Sequence, residues 1–210
     1  MWDYEKVQKM KEQYDKYLMT AEQLLEESQR VQTFAIKAAE GDISFPPHVF
    51  YYYYERTPEN EISERHVGVA AIMDDFNDTQ KKRDIMRSIG KQCMIEKLVV
   101  VGVHLVSEAW ISVTMERPGP NTIPPSQDPN RKEALQISGL TTTGLCIGGW
   151  LQIERDAEEK IHVPEQRLDR WATNGKNRLL QEFFFGYISA IPEERKADVT
   201  GISNIRKQNN

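Results

Sequence analysis

The first forty residues of the chain carry a repeat with alternating steps of three and four positions. The repeat positions are Val7, Met10, Tyr14, Tyr17, Ala21, Leu24, Ser28, Val31, Ala35 and Ala38. Because this spacing follows the 3.6-residue period of an α-helix, it predicts one long helix with an apolar face that ends at Gly41. The face is wider than the seam of a two-stranded coiled coil, so packing on the protein's own body and association with another chain both stay open.

After residue 45 the pattern changes to the alternation that is typical of strands. Strands are predicted at 49–54, 66–73, 98–115, 132–140, 145–154 and 161–163. Helices are predicted at 78–96 and again between Pro164 and Gly175. Gly90, within the first of these helices, is expected to cost about 1 kcal/mol relative to alanine. For the aromatic run 183–188 the pattern does not distinguish a strand from a buried helix.

The longest predicted strand, 98–115, has two faces because its side chains alternate. One face is expected to hold Val99, Val101, Val103, Leu105, Ala109, Ile111 and Val113. The opposite face is expected to hold Val100, His104, Val106, Glu108 and Trp110.

The order of the elements predicts the fold class. Because the strands cluster along the chain and do not alternate strictly with helices, we expect an α+β fold. Its sheet is predicted to be antiparallel or mixed, with about five to seven strands covered by helices. The predicted organisation is a long amphipathic helix over 1–41, an α+β domain over 45–191 and a loose polar tail over 192–210.

Charge and composition narrow the function classes. The chain has 210 residues and a formal net charge of -5, which argues against a general nucleic-acid-binding protein because such proteins neutralise phosphates. The charged amino-terminal segment lacks the apolar core of a signal peptide, and no apolar run is long enough to span a bilayer. The two cysteines, Cys93 and Cys146, lack the CxxC spacing of zinc sites. We therefore expect a cytoplasmic protein without a membrane partner.

Polar residues on and near the longest strand are the candidates for a functional site. They are His104, Glu108, Asp128, Arg131 and Glu133. On one strand, His104 and Glu108 lie about 13 Å apart, too far to hold one metal ion together. Glu108 near Trp110 suits a carboxyl group whose pKa is raised for proton transfer, whereas the alternative is an ion pair with a neighbouring Arg or Lys. The chain has no phosphate-loop, GxSxG or HExxH motif, so no cofactor or metal is predicted.

Two segments of the chain resemble a group of small prokaryotic and phage-type proteins. The shared features are an S-E-A-W strand, here residues 107–110, and a P-S-x-D-P-x-R-K-E strand start, here residues 125–133. The resemblance covers residues 76–155 and implies a common α+β core. It also implies that its polar and aromatic residues lie near one another, namely Glu108, Trp110, Asp128, Arg131 and Glu133. It implies no activity, because none is established for such proteins.

The sequence therefore favours a non-catalytic protein that acts by self-association or by binding another protein. One alternative is a small hydrolase-type enzyme that uses Glu108 with Asp128, Arg131 or Glu133 in a shared cleft. A second alternative is a nucleic-acid-binding module, which would need a local basic patch despite the negative total charge.

Overall fold

A computed structural model describes residues 15–55, 62–73, 76, 78–111, 127–164, 172–173 and 177–191. The helices are α1 Ala21–Ala39, α2 Thr79–Ile95 and α3 Arg178–Ser189. The strands are β1 His48–Tyr54, β2 His66–Ala71, β3 Val99–Ile111, β4 Lys132–Thr141, β5 Cys146–Gln152, β6 Glu154–Arg155, β7 Ile161–His162 and β8 Ala172–Thr173. The predicted tail 192–210 and the first fourteen residues of the predicted long helix lie outside the described residues. No helix in the described ranges is long and apolar enough to cross a membrane.

The main sheet has the strand order β2-β1-β3-β4-β5-β8, and every neighbouring pair is antiparallel. β6 and β7 form a separate two-stranded hairpin. α1 packs on one face of the main sheet, and α2 and α3 pack on the other. The predicted α+β fold with an antiparallel sheet covered by helices is confirmed. The helix predicted between Pro164 and Gly175 is wrong at β8, and the rest of that segment lies outside the described residues.

α1 begins later than predicted because a capping box starts it at residue 21. The Thr20 hydroxyl accepts a hydrogen bond from the Gln23 amide at 3.2 Å, and the Gln23 side chain accepts one from the Thr20 amide at 3.1 Å. Thr20 itself has an extended backbone, so the single uninterrupted helix is wrong at this point. The predicted end is confirmed, since Gly41 has a φ of +79°, which glycine adopts without a Cβ clash.

The apolar stripe of α1 faces the main sheet. Its buried positions include Leu24, Ser28, Val31 and Ala35, all of which belong to the predicted repeat. The apolar members pack against residues of β1, β3, β4 and β5 in one core cluster. α1 therefore packs on the protein's own body, one of the two arrangements that the sequence left open.

A β-bulge changes which residues of β3 share a face. Tyr52 of β1 pairs with Gly102, but the next residue, Tyr53, pairs with Val100, so Val101 is an extra residue in β3. Val101 consequently packs with α1, whereas Val100 packs with α2 and α3. The predicted alternation is wrong at these two valines, because counting by two does not anticipate an inserted residue.

α2 and α3 cross at two glycines. A Cβ atom added to Gly90 would lie 2.0 Å from the carbonyl oxygen of Phe183, and one added to Gly186 would lie 2.0 Å from that of Arg87. Only glycine allows the two backbones to approach this closely. The run 183–188, which the sequence left open between strand and helix, lies within α3.

Candidate functional site

His104 lies on β3 beneath α1 and is fully buried. Its Nε2 atom is 2.8 Å from Oγ of Ser28 on α1. The Ser28 hydroxyl donates to the carbonyl oxygen of Leu24 at 2.7 Å, so its oxygen accepts the hydrogen of Nε2. The ring lies against Gly139 of β4, where a Cβ atom would be 2.5 Å from Nε2. His104 therefore joins α1 to the centre of the sheet.

The surroundings of His104 keep its imidazole neutral. Burial lowers the pKa of His104 to about 3, because the charged form loses its hydration. The Nδ1 atom has no hydrogen-bond partner among the described residues. A neutral imidazole shielded from solvent is poorly placed to exchange protons with a substrate, so His104 serves the packing of α1.

Arg155 of β6 holds two of the predicted carboxylates. Its Nη2 is 2.9 Å from Oε2 of Glu108 on β3, and its Nε is 2.6 Å from Oε2 of Glu133 on β4. Its Nη1 donates to the carbonyl oxygens of Ile43 at 2.7 Å and Glu159 at 2.9 Å. All three guanidinium nitrogens donate hydrogen bonds, and together they fix the β6–β7 hairpin to the main sheet.

Both carboxylate oxygens of Glu108 are engaged. Oε1 accepts the backbone N–H of Phe45, and Oε2 accepts from Arg155. Burial alone would lower the pKa of Arg155, but the hydrogen bond to Glu133 and the charges of Glu133 and Glu108 outweigh it and raise that pKa. Glu108 thus forms an ion pair, as the alternative interpretation of the sequence expected.

Asp128 and Arg131 lie just before β4. Oδ1 of Asp128 accepts the amide of Asn130 at 2.8 Å, and its carbonyl oxygen accepts the amide of Arg131 at 3.1 Å, which forms a turn. The guanidinium carbon of Arg131 is 4.3 Å from the ring centroid of Trp110, a cation–π contact. Trp110 pairs with Glu133 across β3 and β4, so these two side chains share a sheet face.

The structure brings some of the five predicted site residues together and separates another. Glu108 and Glu133 both bind Arg155. Arg131 stacks on Trp110, which is the cross-strand partner of Glu133. His104 lies apart, in the core under α1. Sequence reasoning missed Arg155 because a two-residue strand has no periodicity. The available signal was the pair of carboxylates, because two half-buried carboxylates on one sheet face need a nearby cation such as Arg155.

A second polar cluster lies at the end of α1 and was not predicted. His162 has Nδ1 2.7 Å from Glu40 Oε1 and Nε2 3.2 Å from Asp156 Oδ2. The hydrogen bond with Glu40, and then the one with Asp156, raise the pKa of His162. Each ring nitrogen therefore faces a different carboxylate, and neither is directed at a metal-binding position. Across the described residues, no three His, Cys, Asp or Glu side chains are grouped so as to hold a metal.

β2 forms one edge of the main sheet, and no strand in the described ranges lies on its outer side. Val67 and Val69 pair with Tyr52 and Phe50 of β1, which pack with α1, so the two valines lie on the α1 face. They are 48 % and 51 % exposed, and Met73, just beyond the strand, is 84 % exposed. We call the outer side of β2 with its two valines the β2 edge.

α2 is basic, although the chain as a whole is acidic. Between Thr79 and Ile95 it carries five Lys and Arg residues and a single Asp, in a chain whose net charge is -5. Arg87 and Arg83 lie 2.7 Å and 3.9 Å from Glu182 of α3. Lys91 is exposed. α2 therefore carries a local excess of basic residues on the face opposite α1, part of which is paired with Glu182.

Comparisons with protein-family models, with curated proteins and with solved structures found no match to this chain. The resemblance to small prokaryotic and phage-type proteins therefore stays a prediction, and no activity is carried over from another protein.

Proposed function

We propose that this chain is a non-catalytic protein that acts by pairing its β2 edge with a strand of another polypeptide. That polypeptide is either a second copy or a different protein. The open edge of β2 is the observation that carries the proposal. An unpaired edge strand presents backbone N–H and C=O groups, and an added strand satisfies them.

The composition of β2 supports this proposal. Its six residues, His-Val-Gly-Val-Ala-Ala, include no lysine, acidic residue or proline. Its register with β1 runs from His66 to Ala71 without a bulge. Charged side chains, prolines and bulges are three of the means by which natural edge strands avoid pairing. β2 uses none of them, which is expected of a strand that accepts a partner.

The exposed apolar side chains of the β2 edge support the same proposal. Val67 and Val69 are about half exposed on the α1 face, while α1 packs over the strands nearer the sheet centre. Apolar residues grouped at a surface often mark an interaction site. An added strand would place its own side chains beside these valines and remove apolar surface from water.

The state of the predicted site residues favours association over catalysis. Glu108 and Glu133 are bonded to Arg155, Asp128 closes a turn, and Arg131 stacks on Trp110. A hydrolase would need at least one of these side chains to face the substrate and to donate or accept a proton there. The hydrolase alternative therefore has no geometric support from these side chains.

A reducing compartment fits the proposal. Cys93 and Cys146 are free thiols in the structure, and Cys93 is buried. Burial raises the pKa of Cys93 to about 12, which keeps the thiol protonated and unreactive. Free thiols are expected of a protein in the reducing cytoplasm, which is the compartment that we propose.

Site-specific photo-crosslinking in the native host tests the proposal. A photo-reactive phenylalanine analogue replaces Val69 in the full chain, and the matched control carries it at Ile95, an apolar residue of α2 that is 58 % exposed. We expect a covalent adduct to a polypeptide from position 69 and none from position 95. The added substitution Val67→Lys should abolish the adduct, because a buried lysine opposes strand pairing. Equal adducts from both positions, or none from position 69, would overturn the proposal.

The basic surface of α2 favours nucleic-acid binding as a second candidate function. Phosphate contacts make such binding fall steeply with salt concentration. In a titration with a generic duplex, Lys91→Gln should reduce the slope of log affinity against log salt by about one. The matched control is Lys37→Gln, at an exposed lysine of α1 on the opposite sheet face, which should leave the slope unchanged. Binding that is absent, or equally affected by both variants, rejects this candidate.

A further inference from the structure

We infer that the strand which pairs with the β2 edge is β2 of a second copy of this chain, antiparallel about a two-fold axis at Gly68. In this register Val67 of each copy lies opposite Val69 of the other. The inference rests on the proposed function and names its partner.

Side-chain facing restricts the register. Opposite residues of an antiparallel pair lie on the same sheet face, so Val67 and Val69, both on the α1 face, can only meet residues of that face. The register centred on Gly68 gives two Val–Val pairs, whereas the register centred on Val69 gives only one. Pairs of β-branched residues across strands stabilise a sheet, which favours the first register.

Charge around β2 is compatible with antiparallel self-pairing. Glu64 and Arg65 precede the strand, residues 70–73 at its other end are uncharged, and Asp74 and Asp75 follow them in the sequence. Arg65 is already directed to α1, since its Nη2 is 2.8 Å from Glu27 Oε1. An antiparallel pair in the register about Gly68 places Arg65 and Glu64 of each strand beside Ala71 and Ile72 of the other. A parallel pair would place like charges side by side.

The glycine at the proposed axis is already covered within each copy. A Cβ atom at Gly68 would lie 2.2 Å from the ring of Tyr51, so this ring lies directly across the glycine on the α2 and α3 face. An aromatic side chain over a strand glycine is a known means of stabilising an edge. The centre of β2 is therefore filled on one face, and the two valines project from the other.

The size of the contact sets the strength of the dimer. A six-residue strand is about 20 Å long at about 3.3 Å per residue. Pairing along this length alone falls short of the roughly 1,200 Å² that stable protein interfaces bury in total. The dimer is therefore a reversible one, and its population depends on protein concentration.

Disulfide trapping with the purified full chain tests both the partner and the register. Three samples carry Cys146→Ser and are oxidised under the same conditions: Val67→Cys alone, Val69→Cys alone, and an equal mixture of the two. We expect the cross-linked dimer mainly in the mixture, because only there do two thiols face each other. A dimer from Val69→Cys alone would overturn the register.

Sedimentation over a range of concentrations tests the dimer without a cross-link. We expect Val69→Lys to weaken association by about tenfold or more, whereas Ile95→Lys, the matched control, leaves it unchanged. A wild-type chain that stays monomeric throughout would overturn the inference. If photo-crosslinking at position 69 then yields a different protein, the proposed function stands and only the second copy is rejected. If it yields nothing, both fail.

Discussion

His104 and His162 illustrate how one residue type contributes to stability with opposite dependence on pH. His104 is buried under α1 with one nitrogen bonded to Ser28, and burial lowers its pKa. His162 is exposed between Glu40 and Asp156, and its hydrogen bonds raise its pKa. The folded state therefore disfavours the proton on the first histidine and favours it on the second.

We predict that His104 makes the protein less stable in acid. Its folded pKa of about 3 lies below the unfolded value of about 6.5, so the unfolded chain binds the proton more readily between these values. Stability is full above the unfolded pKa and falls as the pH drops, with a slope that approaches about 1.4 kcal/mol per unit. Urea unfolding from pH 7 to pH 5 should show a smaller slope for His104→Leu than for the wild type. An imidazole proton resonance of His104 that titrates near pH 6.5 in the folded protein would contradict this prediction.

We predict the opposite sign for His162. Its folded pKa is raised, so its contribution is present below the unfolded pKa of about 6.5 and is lost as the pH rises through the folded pKa. His162→Gln should lower the melting temperature at pH 5.5 more than at pH 9. Gln29→Ala, at an exposed and uncharged position of α1, is the control. A melting-temperature difference that does not change with pH would show that the two carboxylates do not hold the proton.

At the scale of elements, patterns in the sequence predicted the interior of strands and helices better than their ends. The sequence located β3 and β4 because each is at least ten residues long and rich in apolar residues, although consecutive residues on both of their faces are buried. The start of α1 was missed although Thr20 and Gln23 form the capping-box pattern, because the apolar repeat continues across it. Arg155 was missed because its role depends on three distant elements meeting, which no local pattern records.

At the α2–α3 crossing, packing and helix propensity predict opposite signs for the change in stability caused by Gly90→Ala. Helix propensity alone predicts that Gly90→Ala stabilises α2 by about 1 kcal/mol. The structure predicts that the substitution destabilises the protein. The new Cβ would lie 2.0 Å from the Phe183 carbonyl oxygen and would force the helices apart. We expect urea unfolding to show a loss of about 1–3 kcal/mol, as in overpacked cores. Ser88→Ala, on the exposed side of α2, is the control and should be nearly neutral. A stabilised Gly90→Ala variant would mean that the helices separate at little cost.

At the scale of the whole molecule, the sheet separates two surfaces of different character. α1 and the β6–β7 hairpin lie toward one face, and the basic α2 lies on the other. A two-fold axis perpendicular to the sheet, as the proposed β2 pairing requires, keeps both α1 helices on one face of a continuous sheet. It also places both basic α2 helices on the same opposite face. The proposed dimer would therefore double the basic surface available to a polyanion.

The last prediction concerns the stability of the assembly. Because a dimer is stabilised by mass action, its melting temperature rises with protein concentration, whereas that of a monomer does not. For a chain of this size, a tenfold increase across the dimer's dissociation constant should raise the melting temperature by about 2 °C. Val69→Lys should remove this dependence and leave the melting temperature at low concentration unchanged, because the residue is exposed in the monomer. Ile95→Lys should keep the wild-type dependence. If wild type and Val69→Lys show the same melting temperature at every concentration, the β2 edge does not join two copies, and its partner must be sought in another protein.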